Sequence, residues 1–404
     1  MQKLSFVAAT LALAVIAGCG VSPVVSTNAN RSLANNEFRA DGVSKNEVVV
    51  SFNQQPSGLR YTVKKTIRGI NASVLAVPSG MSPEQVIADV KAKYSVRYAQ
   101  TNSRVTLDAE YNDPRLKDQY SLNLTNAIKA WDVTKGDRNT TIAVIDTGID
   151  PTHPDLKDKV VASWNVFTKT DKVHDGAGHG THTAGIAAAA VGNGEGGAGV
   201  APDCGLMIVQ VLDERGSGSE QSIADGIVWA ADHGAKVMTM SLGLYKHSKV
   251  VEDALQYALD KDVVCVASAG NNNAQNDAQT APHLPSTYPG VIEVAATDAQ
   301  DKKASFSNWG NTVTVAAPGV NILSTVPTYP TSDASSTTYA TMSGTSMASP
   351  FAAGVAALIR SRHPEWKRDQ VKKALEASTV DLGDKGFDKY FGNGRVDALS
   401  AVQK

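Results

Sequence analysis

The sequence predicts an α/β fold: a mostly parallel sheet covered by helices on both faces, preceded by a separate small α+β domain. Three observations predict it. First, short apolar runs recur at Thr141–Asp146, Leu206–Leu212, Lys236–Leu242, Val263–Ala267, Val291–Thr297 and Thr312–Ala317. Runs without polar alternation are what strands buried on both faces look like. Second, helical patterns from Ser219 to about His233 and from Val250 to about Lys261 fall between them, with Gly234 as a stop for the former. Strand alternating with helix is the pattern of a sheet sandwiched between helical layers. Third, 404 residues, 42% hydrophobic and with a formal net charge of −2, suffice for one sizeable core and a smaller partner domain. There is no basic run and aromatics are few, so nothing in the composition suggests a nucleic-acid partner and none is expected.

The elements follow in chain order. Residues 1–19 read as an export signal: Lys3 supplies the positive end, and Leu4 to Ala17 an apolar stretch too short to span a membrane as a stable helix. The stretch closes on Ile16-Ala17-Gly18-Cys19, which resembles a bacterial lipobox, in which the cysteine (here Cys19) is lipidated; an ordinary signal peptide is the other reading. Residues 20–45 are polar, rich in Ser and Asn, and read as a flexible tether. Residues 46–110 form the small domain, with strands at Val48–Phe52 and Ser73–Val77. A helix opens at Ser82-Pro83-Glu84 and runs to about Tyr94, and Val96–Leu107 is extended. Serine as cap and proline at the first helical position mark that helix start. Residues 111–404 form the α/β domain.

Three segments of that domain carry chemistry. Thr141-Ile142-Ala143-Val144-Ile145-Asp146-Thr147-Gly148 puts Asp146 at the carboxyl end of a buried strand, the edge at which open α/β sheets place ligands. A turn or capping role is the plain alternative. His179-Gly180-Thr181-His182-Thr183-Ala184-Gly185 opens a small-residue helix, Ile186 to Val191, and holds a general base rigidly. His182 lies three residues on, so a metal pair is conceivable, but no cysteine or carboxylate at usable spacing completes it. Gly344-Thr345-Ser346-Met347-Ala348-Ser349-Pro350 mounts Ser346 on the first turn of an apolar helix, beside free backbone N–H groups suited to an oxyanion. Read alone, Ser346 is also a good N-cap.

Together these segments resemble the signature blocks of the subtilase (subtilisin-like) serine proteases, in the order Asp, His, Ser, from about Asp113 to the C-terminus. The resemblance implies a subtilisin-like three-layer fold and a serine endopeptidase. Ser346 attacks, His179 shuttles the proton, Asp146 fixes the imidazole, and Asn271 in Ser268-Ala269-Gly270-Asn271 donates to the oxyanion. It implies that substrate adds as a strand between Gly216-Ser217-Gly218 and Ser241-Leu242-Gly243. It places His283 near the floor of the pocket for the residue before the scissile bond, where relatives are often small. A shortened pocket with pH-dependent preference is one expectation, and a surface histidine in a Pro-rich loop the other.

Calcium is the expected cofactor. By the same resemblance Asp113, Asp155, Asn193, Glu195 and the loop from Val191 to Gly197 supply an all-oxygen shell; ordinary turn residues are the alternative. The second calcium site of thermitase-like relatives should be missing, because Thr168 to His174 holds Asp171 alone. Phe351 stands where relatives have His, and should affect helix packing rather than chemistry. Residues 46–110 are similar in position to inhibitory subtilase propeptides. Residues 20–110 carry 11 Lys+Arg against 7 Asp+Glu, residues 111–404 carry 26 against 33, and the opposite signs favour docking.

Parity invites a disulfide between Cys204 and Cys265 in an exported protein, yet by resemblance they lie on different parts of the sheet and are expected as buried free thiols. The expected partners are peptide substrates and the chain's own propeptide, with membrane contact only through the lipidated precursor. Self-cleavage near Arg104 to Tyr111 would leave a released, extracellular or periplasmic enzyme. A peptide ligase with the same triad, or an inactive binding module, are the competing functions. The first lacks an inserted lid here; the second typically loses a triad residue.

Overall fold

The computed structural model describes Arg39, residues 43–103, 111–334 and 336–404. Cys19, the signal, most of the tether and the expected cleavage region from Arg104 lie outside these residues. The chain divides into two compact units, on either side of Leu107.

The N-terminal unit is an antiparallel sheet carrying one helix. Its strands are β1 (Val43–Phe52), β2 (Val63–Ile67), β3 (Ala72–Ala76) and β4 (Val96–Ser103), in the order β2-β3-β1-β4. Helix α1 (Pro83–Lys93) starts in a capping box: Ser82 Oγ accepts from Gln85 N, and Gln85 Oε1 accepts from Ser82 N. Val48, Val50 and Phe52 pack with Leu75, Val86 and Val90. Two sequence expectations need correction. β1 begins at Val43, paired with Ser103, inside the span read as tether. β2 went unseen because its sequence, Val-Lys-Lys-Thr-Ile, is exposed throughout and lacks the buried alternation; lysines are what a sheet edge favours.

The C-terminal unit is built on a seven-stranded sheet. In chain order its strands are β5 (Thr141–Asp146), β6 (Val160–Asn165), β7 (Gly205–Gln210), β8 (Val237–Met240), β9 (Val264–Ser268), β10 (Ile292–Thr297) and β11 (Val313–Pro318). They run parallel in the order β11-β10-β9-β8-β5-β7-β6. Strand residues alternate between two cores. Ile142, Val144, Leu206 and Ile208 face one layer, and Ala143, Ile145, Met207 and Val209 the other. The second layer is α3 (Glu220–Asp232) and α4 (Lys249–Asp260); the first contains α2 (His179–Ala188) and α5 (Thr345–Arg362). The result is helix, sheet, helix. Phe351 is 1% exposed in the α5 core. Cys204 and Cys265 are both buried and unpaired.

Helix α2 starts earlier than expected, at His179 itself, and is over by Ala188. Asp175 is the reason. Its buried carboxylate accepts from Gly178 N (2.7 Å), Thr181 N (2.8 Å) and Thr181 Oγ1 (2.6 Å), anchoring the orphan donors of the first turn. An antiparallel ribbon, β12 (Ile322–Thr325) with β13 (Tyr339–Met342), lies over α2. A side chain at Gly185 would meet Ser324 Oγ at 2.5 Å, so only glycine lets the ribbon approach. Among the described residues no helix is long and apolar enough to cross a membrane.

Candidate active site

The end of β5 and the start of α2 are jammed together. A Cβ at Gly180 would collide with the carbonyl oxygen of Gly148, and Gly180 N donates to Thr147 Oγ1 at 2.8 Å. This contact brings His179 Nδ1 within 2.7 Å of Asp146 Oδ1. Asp146 is 1% exposed, and its other partners are Thr147 N (2.7 Å) and Thr183 Oγ1 (3.2 Å). A carboxylate can only accept here, so Nδ1 carries the proton and Nε2 is left as the base. Burial works against an imidazolium, but the Asp146 charge and hydrogen bond more than offset it, and the His179 pKa is raised to about 9.

Helix α5 begins between two segments that follow strands. Ser241 Oγ, after β8, donates to Ser346 O at 2.8 Å. After β9, Gly270 N donates to Thr345 Oγ1 at 3.1 Å. Asn271 Oδ1 accepts from both Thr345 N and Thr345 Oγ1 at 2.9 Å, so its amide nitrogen is directed away from them. A Cβ built on Gly344 would stand 3.6 Å from Asn271 Nδ2 and 3.6 Å from Ser346 N. Two nitrogens able to donate thus lie close together beside the buried Gly344, the kind of donors an oxyanion requires.

A cleft of about 760 Å³ is lined by His179, by Gly216, Ser217 and Gly218, and by Ser241, Leu242 and Gly243. Leu242 and Gly243 pair with no strand of the sheet, whose β8 register ends at Met240. His283 is not a surface residue: it is 3% exposed and packed against Gly243. Burial pushes its pKa down to about 4, so the imidazole is neutral near pH 7 and the expected pH-dependent preference there is corrected.

His182 is not a metal ligand partner for His179. It is fully buried, its Nε2 sits 3.1 Å from both Ile322 O and Ala340 O, and burial lowers its pKa to about 3. Two carbonyls can only accept, so Nε2 carries the proton and ties α2 to the ribbon.

The glycine-rich loop expected to bind calcium wraps the segment from Tyr111. Arg115 N donates to Gly196 O (2.6 Å), and Gly194 N to Asn112 Oδ1 (3.1 Å). Asp113 accepts from Gly192 N and Asn193 N. Asp155, 1% exposed, lies against Asn193 Nδ2 (2.8 Å) and Tyr339 Oη (3.0 Å), and burial raises its pKa. Among the described residues no group of three or more His, Cys, Asp or Glu side chains could hold a metal.

Sequence reasoning passed over Asp175, Thr183, Thr345 and Gly344. Asp175 stands three residues before a glycine at a helix start, a capping signal that could have been read. The others touch partners distant in sequence.

With this geometry in place, comparisons with known proteins become informative. Residues 137–394 match the model of the subtilase family, and residues 43–102 that of the fervidolysin N-terminal prodomain. The chain is 43% identical over 293 residues to thermitase of Thermoactinomyces vulgaris, covering 72% of this chain and 99% of that one. It is 39% identical to a thermophilic serine proteinase of a Bacillus species, covering 88% and 87%. The crystal structure of fervidolysin from Fervidobacterium pennivorans, a keratinolytic enzyme related to subtilisin, superposes with a TM-score of 0.66 at 30% identity, over 90% of this chain and 61% of that one. A parallel sheet between helical layers, a buried aspartate hydrogen-bonded to a histidine in the cleft, and these matches have one meaning: the chain belongs to the subtilase family as a thermitase-like serine endopeptidase with an N-terminal propeptide domain.

Proposed function

We propose that the enzyme cleaves peptide bonds through Asp146, His179 and Ser346. Substrate pairs along Gly216–Gly218 and Ser241–Gly243. Ser346 Oγ attacks the scissile carbonyl while His179 Nε2 takes its proton, and the tetrahedral oxyanion sits before Asn271 Nδ2 and Ser346 N. Collapse expels the amine with the proton from His179, and water repeats the sequence on the acyl-enzyme. The observation that carries this reading is the 2.7 Å Asp146–His179 contact, held in the same cleft as the unpaired Leu242–Gly243 segment. The test is the intact mass over time of the chain from Gly20 onward, as wild type and as Ser346→Ala. Wild-type cleavage near residue 110 with an intact variant supports the nucleophile and self-maturation together. Identical cleavage of both, or of neither, counts against self-processing.

The N-terminal domain is read as the intramolecular inhibitor of this site, supported by its prodomain match and the opposite net charges of the two parts. Export as a Cys19-lipidated precursor, with release of the mature enzyme on processing, completes the proposal. Radiolabelled palmitate appearing in the precursor but not in Cys19→Ala tests it.

Calcium is proposed at the 191–197 loop. The oxygens available there, from the Asp155 and Glu195 carboxylates, loop carbonyls and the Asn193 side chain once its amide turns from Asp155, suit a hard cation. The buried Asp155 carboxylate supports the reading, since a bound cation would compensate its desolvation. Asp113 in its present arrangement is committed to loop N–H groups and would act mainly as a brace.

A further inference from the structure

Resting on the protease reading above, we propose that Asp333 is a substrate-binding residue. Its carboxylate receives a lysine or arginine side chain at one position within two residues of the scissile bond, so the enzyme favours cationic peptides.

Asp333 belongs to neither of the two segments along which substrate pairs. It sits on a strap that links β12 to β13 and is tied down against the approach to α2. Thr328 N and Oγ1 donate to Asp150 Oδ2 at 2.9 and 2.7 Å, and Asp150 is buried. Tyr329 stacks on His174 with ring centres 4.8 Å apart, and its Oη lies 3.0 Å from His174 Nδ1. Ser332 N donates to Gly176 O at 3.2 Å, and Asp333 N to Ala177 O at 3.0 Å. A Cβ at Gly178 would meet Thr331 Oγ1 at 2.7 Å, so the strap rests directly on the turn that leads into His179. The main chain of Asp333 is therefore fixed by Ala177, two residues before the catalytic histidine.

Its side chain is left for a ligand. Asp333 is exposed and lines the same cleft as Thr147 and His179. Its carboxylate accepts from the neighbouring Ser332 Oγ at 3.1 Å, and among the described residues no Lys or Arg pairs with it. The other acids cannot take its place. Asp146 and Asp175 are buried and committed to donors of their own. Glu220, which also lines the cleft, is paired with Lys246. Burial opposes a charge on His179, whereas Asp146, Asp175 and Asp333 favour it, which puts the Asp333 carboxylate within electrostatic reach of the imidazole.

That reach limits which substrate residue can answer. The imidazole must stand at the scissile bond, and a substrate strand advances about 3.3 Å per residue, so only side chains within about two residues of the bond come near Asp333. Successive side chains point to opposite faces, so of two neighbouring positions one responds and the other does not. Leu212 lines the same cleft and offers apolar surface to the methylene stem of the incoming side chain.

The test is kcat/KM of the mature enzyme on peptides carrying Lys, Arg, Met or Glu in turn at each of the two positions on either side of the scissile bond. A fluorophosphonate probe of Ser346 is run in parallel. At one position Lys and Arg should exceed Met by about five- to tenfold, between the worth of an exposed ion pair and that of a charge-assisted hydrogen bond. The preference should shrink at high salt. In Asp333→Asn the Lys-to-Met ratio should fall to about one, and in Asp333→Lys the Glu-to-Met ratio should rise. A labelled wild type with no preference for a basic residue at any of these positions overturns the inference alone. So does a Lys-to-Met ratio that both variants leave unchanged. A wild-type preference for Glu would assign the site to Arg215, which also lines the cleft, and overturn it too. Absence of both label and cleavage overturns the protease reading beneath it.

Discussion

His179 has opposed demands on its proton. Catalysis needs Nε2 free, whereas the fold favours the imidazolium, because its pKa is raised from 6.5 to about 9 once the Asp146 charge outweighs burial. The stability it contributes is present in full below pH 6.5 and is lost as pH rises through about 9. The kcat/KM profile should therefore rise on the alkaline side of 6.5, falling about tenfold per unit below its apparent pKa. An ascending limb centred at or below 6.5 would contradict the Asp146–His179 coupling. His182 behaves in the opposite way. Its pKa, lowered by burial to about 3, lets protons favour the unfolded chain; thermal stability should drop as pH falls below 6.5 and go on dropping toward 3. In the proposed mechanism Asn271 acts through its amide nitrogen, while its oxygen accepts from Thr345. Asn271→Ala should cost about 10² to 10³ in kcat. Asn271→Asp, which keeps the acceptor and loses the donor, should do the same with Tm nearly unchanged.

At the scale of elements, α2 and α5 are held by few but specific contacts. Asp175 gathers Thr147 Oγ1, Gly178 N and Thr181 around one buried carboxylate. Asp175→Ala should cost about 3 kcal/mol, because buried donors lose their acceptor together, and a urea titration with unchanged m would show it as a lowered midpoint. Six strands of the seven-stranded sheet were legible because they are continuous apolar runs; β6, largely half-buried at the sheet's edge, was missed. β2, the β12–β13 ribbon and the early start of α2 were missed too: each depends on a partner element, Asp175 in the last case, that periodicity does not display.

For the whole molecule, the proposals concern the segment at Tyr111 and its loop. If a cation completes the shell around Asp155 and Asn193, EDTA should lower Tm of the mature enzyme and added Ca²⁺ restore it, each by the linkage expected of a ligand that binds only the folded state. Asp155→Asn should abolish the difference, while equal Tm with and without chelator in wild type would leave the loop a hydrogen-bonded turn.

The sequence by itself determined the reaction class and the places of Asp146, His179, Ser346 and Asn271 at strand and helix ends, since those are properties of short segments and their backbone geometry. Only the tertiary structure decided that His182 is a neutral tie rather than a ligand, that Asp175 orders the start of α2, and that His283 is buried against Gly243 rather than exposed on a loop. Such facts arise where segments distant along the chain compete for one volume, and no local pattern encodes which of them fills it.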